Sequence, residues 1–211
     1  MSENKNHPLA IRKNNQSDWI QKLENATGQL IKAKLPTTNS VFFLLDCSGS
    51  MSSNNKLQFA KNGGIEYAMV AISKGYKIGL ISFGSSVKKI LDPQDKIENF
   101  KMQISNIEIE GSTNLTDAIR IARELLSTKV GERIIFVVTD GYPDNSNSAI
   151  SEVKLAAQAG IEIMTLGTDD ADLNFLDSIA TKKEFSKKVT RQDFQQGIKD
   201  MSKLLPSKTK Y

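Results

Sequence analysis

Residues 40–46, SVFFLLD, are apolar from Val41 to Leu45 and then end on an acid, a pattern that predicts a strand buried on both faces. KLQFAKNGGIEYAMVAIS (56–73) has helical spacing, weakened at Gly63 and Gly64, and YKIGLISF (76–83) predicts a second strand. SVKKIL (86–91) reads as a short strand joined to the second by the turn residues GS, which would make it antiparallel and an edge. TDAIRIARELLST (116–128) predicts a helix through Ala118, Ile119, Ala122, Leu125 and Leu126, and RIIFVVTD (133–140) another buried strand. SAISEVKLAAQA (148–159) then predicts a helix stopped by Gly160, IEIMTLG (161–167) a strand, and DLNFLDSIA (172–180) and RQDFQQGIKDMSKLL (191–205) two helices. Strands alternating with helices predict βαβ units, a mainly parallel central sheet and helices on both faces: an α/β fold.

Ahead of this alternation, Trp19, Ile20, Leu23, Leu30, Ile31 and Leu35 line one side of a helix that NQSD would start and Pro36 with TTNS would end. The expected organisation is an N-terminal extension (1–38) carrying this amphipathic helix, one domain (39–205) and a short basic tail (206–211). The helix is read as a structural cap rather than a partner-binding arm.

Composition narrows the class without naming a function. The chain has 211 residues, 25% charged and 39% hydrophobic, as expected of a folded domain with a substantial core. A net charge of +4 is too small for the dense basic face of a nucleic-acid binder. The polar start MSENKNHPLA and the absence of a long apolar run argue against a signal peptide and a membrane span. A single cysteine, Cys47, forms no internal disulfide and suits a reducing cytoplasm.

Two of the strands share an ending. FFLLD stops at Asp46 and IFVVTD at Asp140, so both acids leave at the carboxyl edge of the sheet, where open α/β sheets bind ligands. If these strands are neighbours, carboxylates about 4 Å apart repel by roughly 4 kcal/mol at an effective dielectric near 20, and a positive charge is expected between them. Ser48 and Ser50 follow Asp46, and GSTNLTDA offers Thr113 just before a helix, so every donor is a hard oxygen. Such a set favours Mg²⁺, with Mn²⁺ or Ca²⁺ as alternatives, over zinc or copper.

Together DCSGSMS, GSTNL and TDG resemble the metal-ion-dependent adhesion site (MIDAS) of von Willebrand factor A domains, a resemblance running from about residue 40 to 200 through ISFGSSV, GIEIMTLGTDDADLNFLDSIA and the closing helix. It implies a Rossmann-like sheet with one antiparallel edge strand, in which the strands ending at Asp46 and Asp140 lie side by side. It further implies that Ser48 and Ser50 bind the metal directly, Thr113 directly or through water, and Asp46 and Asp140 mainly through water. With two carboxylates the loaded site would be formally neutral and open to an Asp or Glu from a protein partner. Intracellular members often work beside ATPases, chelatases, kinases or phosphatases, so an adaptor role is an expectation by resemblance. The sequence departs from many members at Ser112 and Cys47, neither of which is a ligand position.

Other chemistries fit less well. A helix-capping role explains SGSMSS taken alone but not Thr113 and Asp140 with it. A phosphatase-type Cys47 would want an arginine where Ser53 stands, and an Asp46 nucleophile of the haloacid-dehalogenase type would want an acid at Ser48. The only histidine, His7, lies well before the predicted core, which disfavours a Ser-His-Asp triad. Neither a G-x-x-x-x-G-K-S/T loop nor a G-x-G-x-x-G after the first strand is present. Asp144, Asp169, Asp170 and Asp172 are read as turn and cap residues at the same edge. The expected function is a Mg²⁺-dependent, non-enzymatic protein-binding module. A metal-dependent phosphohydrolase using Asp46 and Asp140, and a scaffold with a vestigial site, are the alternatives.

Overall fold

A strand apolar on both faces needs a helical layer on each side, and β1 (Asn39–Asp46) has one. The computed structural model describes residues 37–141, 143–168 and 171–206. After β1 come a 3-10 segment (Gly49–Asn55), α1 (Lys56–Ser73), β2 (Tyr76–Phe83), β3 (Val87–Gln94), α2 (Ile97–Ser105) and α3 (Leu115–Ser127). There follow β4 (Arg133–Thr139), α4 (Ser146–Gln158), β5 (Glu162–Gly167), α5 (Leu173–Ile179), β6 (Ser186–Lys188) and α6 (Phe194–Met201), with short 3-10 turns at Lys183–Phe185 and Ser202–Leu204. The expected N-terminal helix, His7, Asp169 and Asp170 lie outside the described residues, as does nearly all of the basic tail. Among the described residues, no helix is long and apolar enough to cross a membrane.

The sheet has six strands in the order β3-β2-β1-β4-β5-β6, and all pairings are parallel except β2 with β3. This is the Rossmann-like, mainly parallel architecture with one antiparallel edge strand. Strand order reverses between β1 and β4, and the carboxyl end of that pair is where such sheets form a crevice. Val41, Phe43 and Leu45 pack into one core with residues of α1, α2 and α6, while Phe42 and Leu44 pack into a second with residues of α3, α4 and α5. Phe43, Tyr67 and Phe136 meet with ring centroids 4.7–5.9 Å apart, tying α1 to the two central strands.

The glycines that weaken α1 as a sequence are the residues that let it pack. A Cβ on Gly63 would lie 2.8 Å from both the Gln195 carbonyl oxygen and Ile198 Cβ, so α6 approaches α1 at backbone distance there. A Cβ on Gly64 would lie 2.9 Å from the Phe43 ring.

Several elements differ from the sequence expectation. β3 is longer, running to Gln94 past Pro93, which an edge strand tolerates because its outer side needs no ladder bond. α2 was not anticipated: its nine residues bury only Phe100 and Ile104, too short a stripe to stand out by period. β6 is three residues of Ser and Lys with no apolar alternation, and it exists because β5 offers an edge to pair with. The last helix starts at Phe194 rather than near 191, after a turn in which the Asp193 amide donates to Thr190 Oγ1 at 3.3 Å.

Candidate metal site

β1 and β4 are parallel neighbours with Leu45 opposite Val138, so Asp46 and Asp140 arrive at the same crevice from adjacent strand ends. Both acids are fully buried. The Ser48 amide donates to Asp46 Oδ1 at 2.8 Å, and Thr139 Oγ1 donates to Asp46 Oδ2 at 2.5 Å. Asp46 therefore holds the turn after β1 and the end of β4 together. Ser50 Oγ donates to Asp140 Oδ1 at 2.6 Å and lies 3.1 Å from Ser48 Oγ, so both serine hydroxyls face the acids.

The other hydroxyls of the loop do a different job. Ser52 Oγ donates to the Gly49 carbonyl at 2.7 Å and Ser53 Oγ to the Ser50 carbonyl at 3.0 Å, bracing the 3-10 turn. Ser48, at the position before that turn, makes no capping bond. The capping explanation thus applies to neither pair: Ser52 and Ser53 donate to carbonyls within the turn, and Ser48 and Ser50 face the acids.

Thr113 joins the group through its backbone. The Gly49 amide donates to the Gly111 carbonyl at 2.8 Å and the Glu110 amide to the Cys47 carbonyl at 2.6 Å, pinning the 110–114 loop against the serine loop. The Thr113 amide donates to Asp144 Oδ1 at 3.2 Å, and the Asp144 amide donates back to the Thr113 carbonyl at 3.1 Å. Asp144 is therefore a brace for the Thr113 loop, while Asp172 caps α5 by accepting from the Phe175 amide at 2.9 Å.

The residue that sequence reasoning missed is Lys56. Its Nζ donates to Asp140 Oδ2 at 2.6 Å, and both side chains are buried, 3% and 0% exposed. The cation expected between the carboxylates is thus supplied in part by the chain itself. Asn54 and Asn55, at φ 54° and 60°, adopt the left-handed conformation that asparagine tolerates better than most residues and turn the chain into α1 at Lys56. The doubled asparagine before a lysine was the available signal, but nothing in the sequence relates Lys56 to an acid 84 positions away.

Burial is the largest influence on Asp46, pushing its carboxyl up to about 6 against the hydrogen bonds from Thr139 and Ser48. Between about 4 and 6 the folded protein holds a proton that the unfolded chain releases, so this acid destabilises the fold as pH rises through that window. Asp46→Asn should therefore stabilise the metal-free protein relative to wild type by up to about 3 kcal/mol above pH 6, with the advantage shrinking towards pH 4. Melting of both proteins across that range checks it, and a gap independent of pH would contradict it. Burial also pushes the Cys47 thiol up to about 11, and its Sγ donates to the Phe83 carbonyl at 3.2 Å, which makes it a packing residue rather than a nucleophile.

Among the described residues no cluster of three or more His, Cys, Asp or Glu side chains assembles. The donor set at the crevice is hydroxyl and carboxylate oxygen from Ser48, Ser50, Asp46 and Asp140, with the Thr113 loop alongside, and that chemistry fits a small hard dication.

Residues 41–143 match the family model of the von Willebrand factor type A domain. Calcium-activated chloride channel regulator 1 of Bos taurus is 30% identical over 166 residues, covering 73% of this chain and 17% of that protein. The chain spans only 17–32% of the length of such curated relatives. The von Willebrand factor domain of the type V pili tip protein Mfa5 from Porphyromonas gingivalis superposes with a TM-score of 0.72 at 13% identity, covering 82% of this chain and 98% of that one. Proximal thread matrix protein 1 of the mussel byssus, solved with a zinc-occupied MIDAS motif, superposes with a TM-score of 0.66 at 22% identity, covering 80% and 46%. At these identities the two structures show a shared fold.

Proposed function

This chain carries a von Willebrand factor type A domain, and we propose that it binds a protein partner through a divalent cation held at the carboxyl ends of β1 and β4. Domains of this family serve mainly in adhesion and protein interaction. The observation that carries the reading is the linked chain Ser48–Ser50–Asp140 beside a buried Asp46, a set of hard oxygens gathered at the switch point of the sheet.

In this reading Ser48 and Ser50 present their hydroxyl oxygens to the cation, Thr113 supplies a further oxygen from its braced loop, and Asp46 and Asp140 complete the site mainly through water. A bound Mg²⁺ supplies a Lewis-acid position for a carboxylate oxygen, and Mn²⁺ is a suitable probe of the same site. Asp46 keeps the serine loop in place, Asp140 orients the Ser50 hydroxyl, and Asp144 fixes the Thr113 backbone. Both Asp46 oxygens already accept hydrogen bonds, from Ser48 and Thr139, which supports an ordering role over that of a phospho-accepting nucleophile.

Melting of metal-stripped protein against increasing Mg²⁺ or Mn²⁺ tests the site, since a ligand that binds only the native state raises apparent stability. At a metal concentration about 100 times Kd, wild type should gain about 2.7 kcal/mol and a Ser48→Ala/Ser50→Ala variant much less. The Mn²⁺-loaded wild type should then bind acetate, used as a minimal carboxylate, and EDTA should abolish that binding. No metal-dependent shift in folded wild type would sink the proposal.

A further inference from the structure

A hollow of ≈ 250 Å³, separate from the metal crevice, opens where the end of β2 and the edge strand β3 face the end of α2 and the 106–110 segment. Ile90 and Ile107 give it apolar walls, and Ser82, Gln103 and Asn106 give it polar ones. Ser82 follows Leu80 at the period of a strand, so its side chain leaves β2 on the face that packs against α1 and α2. It is 4% exposed, and among the described residues its hydroxyl makes no hydrogen bond, although a buried hydroxyl ordinarily has a partner.

The charged groups around this cavity are already engaged. Lys88 pairs with Glu110, whose other oxygen accepts from the Ser86 amide at 3.1 Å and the Ser86 hydroxyl at 2.8 Å. Glu108 lies near enough to the Lys61 ammonium to favour its charged form. What is left to meet a ligand is neutral: one hydroxyl and two carboxamides, groups that both donate and accept.

We propose that this cavity binds a neutral sugar ring. A lone amide or hydroxyl answers only one or two of these groups, whereas the several hydroxyls of a sugar each donate and accept, and the C–H faces of the ring suit isoleucine walls. Displacing water from such groups requires a ligand that reproduces its hydrogen bonds, which a polyol does and an apolar group does not. The volume lies below that of a drug-sized pocket and suits one ring rather than a chain of them. None of the lining residues belongs to the metal site, so binding should not require a cation.

Ligand-observed NMR in EDTA, with glucose, galactose, mannose and N-acetylglucosamine titrated singly, tests the proposal. Acetamide and acetate serve beside them as a single neutral amide and a single charge. At least one sugar should bind wild type with a Kd of about 1–10 mM, and acetamide and acetate should bind at least about tenfold more weakly. Ser82→Ala removes the buried hydroxyl without removing a hydrogen bond of the fold, so it should melt as wild type does and lose at least about fivefold in affinity for that sugar. Gln103→Leu, at a half-buried position, should lose about as much and keeps the test open if Ser82→Ala fails to fold.

No sugar binding to folded wild type below about 50 mM overturns the proposal. So does acetamide or acetate binding as tightly as the sugar, or a folded variant that keeps wild-type affinity. Every arm is run without metal, so these outcomes leave the metal reading untouched, and a failure of that reading leaves this one standing.

Discussion

Asp140→Ala should destabilise the metal-free protein by about 3–5 kcal/mol, because it removes the carboxylate that faces a lysine 3% exposed. For a chain of this size each kcal/mol moves Tm by roughly 2–4 °C, so a fall of more than about 6 °C is expected. The same change removes the acceptor of the Ser50 hydroxyl, so the stabilising shift with Mn²⁺ should vanish as well. Adding Lys56→Met should recover part of the lost Tm, since an apolar residue of similar size is easier to bury than an amine without this carboxylate. Melting of the single and double variants decides it: Asp140→Ala within 2 °C of wild type would mean the buried pair contributes little.

The second large effect is expected at Gly63→Ala, where helix propensity and packing oppose each other. Alanine in place of glycine favours an isolated helix by about 1 kcal/mol. In this fold its Cβ would lie 2.8 Å from the Gln195 carbonyl oxygen and 2.8 Å from Ile198 Cβ, and the first of these belongs to the backbone of α6 and has no rotamer with which to yield. Overpacking of this kind costs about 1–3 kcal/mol or more, so the net result should be a loss, with Tm lower by several degrees. Denaturant unfolding would show it as a lower midpoint at an unchanged slope, whereas a raised midpoint would show that α6 shifts freely on α1.

These two cases mark where local and tertiary information part. As a sequence, Gly63 weakens a helix; as a neighbour of Ile198, it permits one. The division runs through the site too. DCSGSMS, GSTNL and TDG made Asp46, Ser48, Ser50, Thr113 and Asp140 candidates, because strand ends and hydroxyl spacing are visible in one dimension. The serines of that loop look equivalent on paper, yet two face the acids and two brace the 3-10 turn.

Local pattern by itself determined the alternation of strands and helices, the α/β class and the acids at two strand ends, since apolar period and turn residues act over a few positions. It also carried enough of the family's motif to propose the site. Only the tertiary structure decided that β1 and β4 are neighbours, that Asp46 is held by Thr139 and Ser48, and that Lys56 lies buried on Asp140. α2 and β6 belong on that side as well, for each is too short to announce itself and exists through what it packs or pairs against. The physical reason is common to all of them: strand adjacency, burial and the charge of a site are properties of contacts between distant segments, and no local pattern encodes the partner's position.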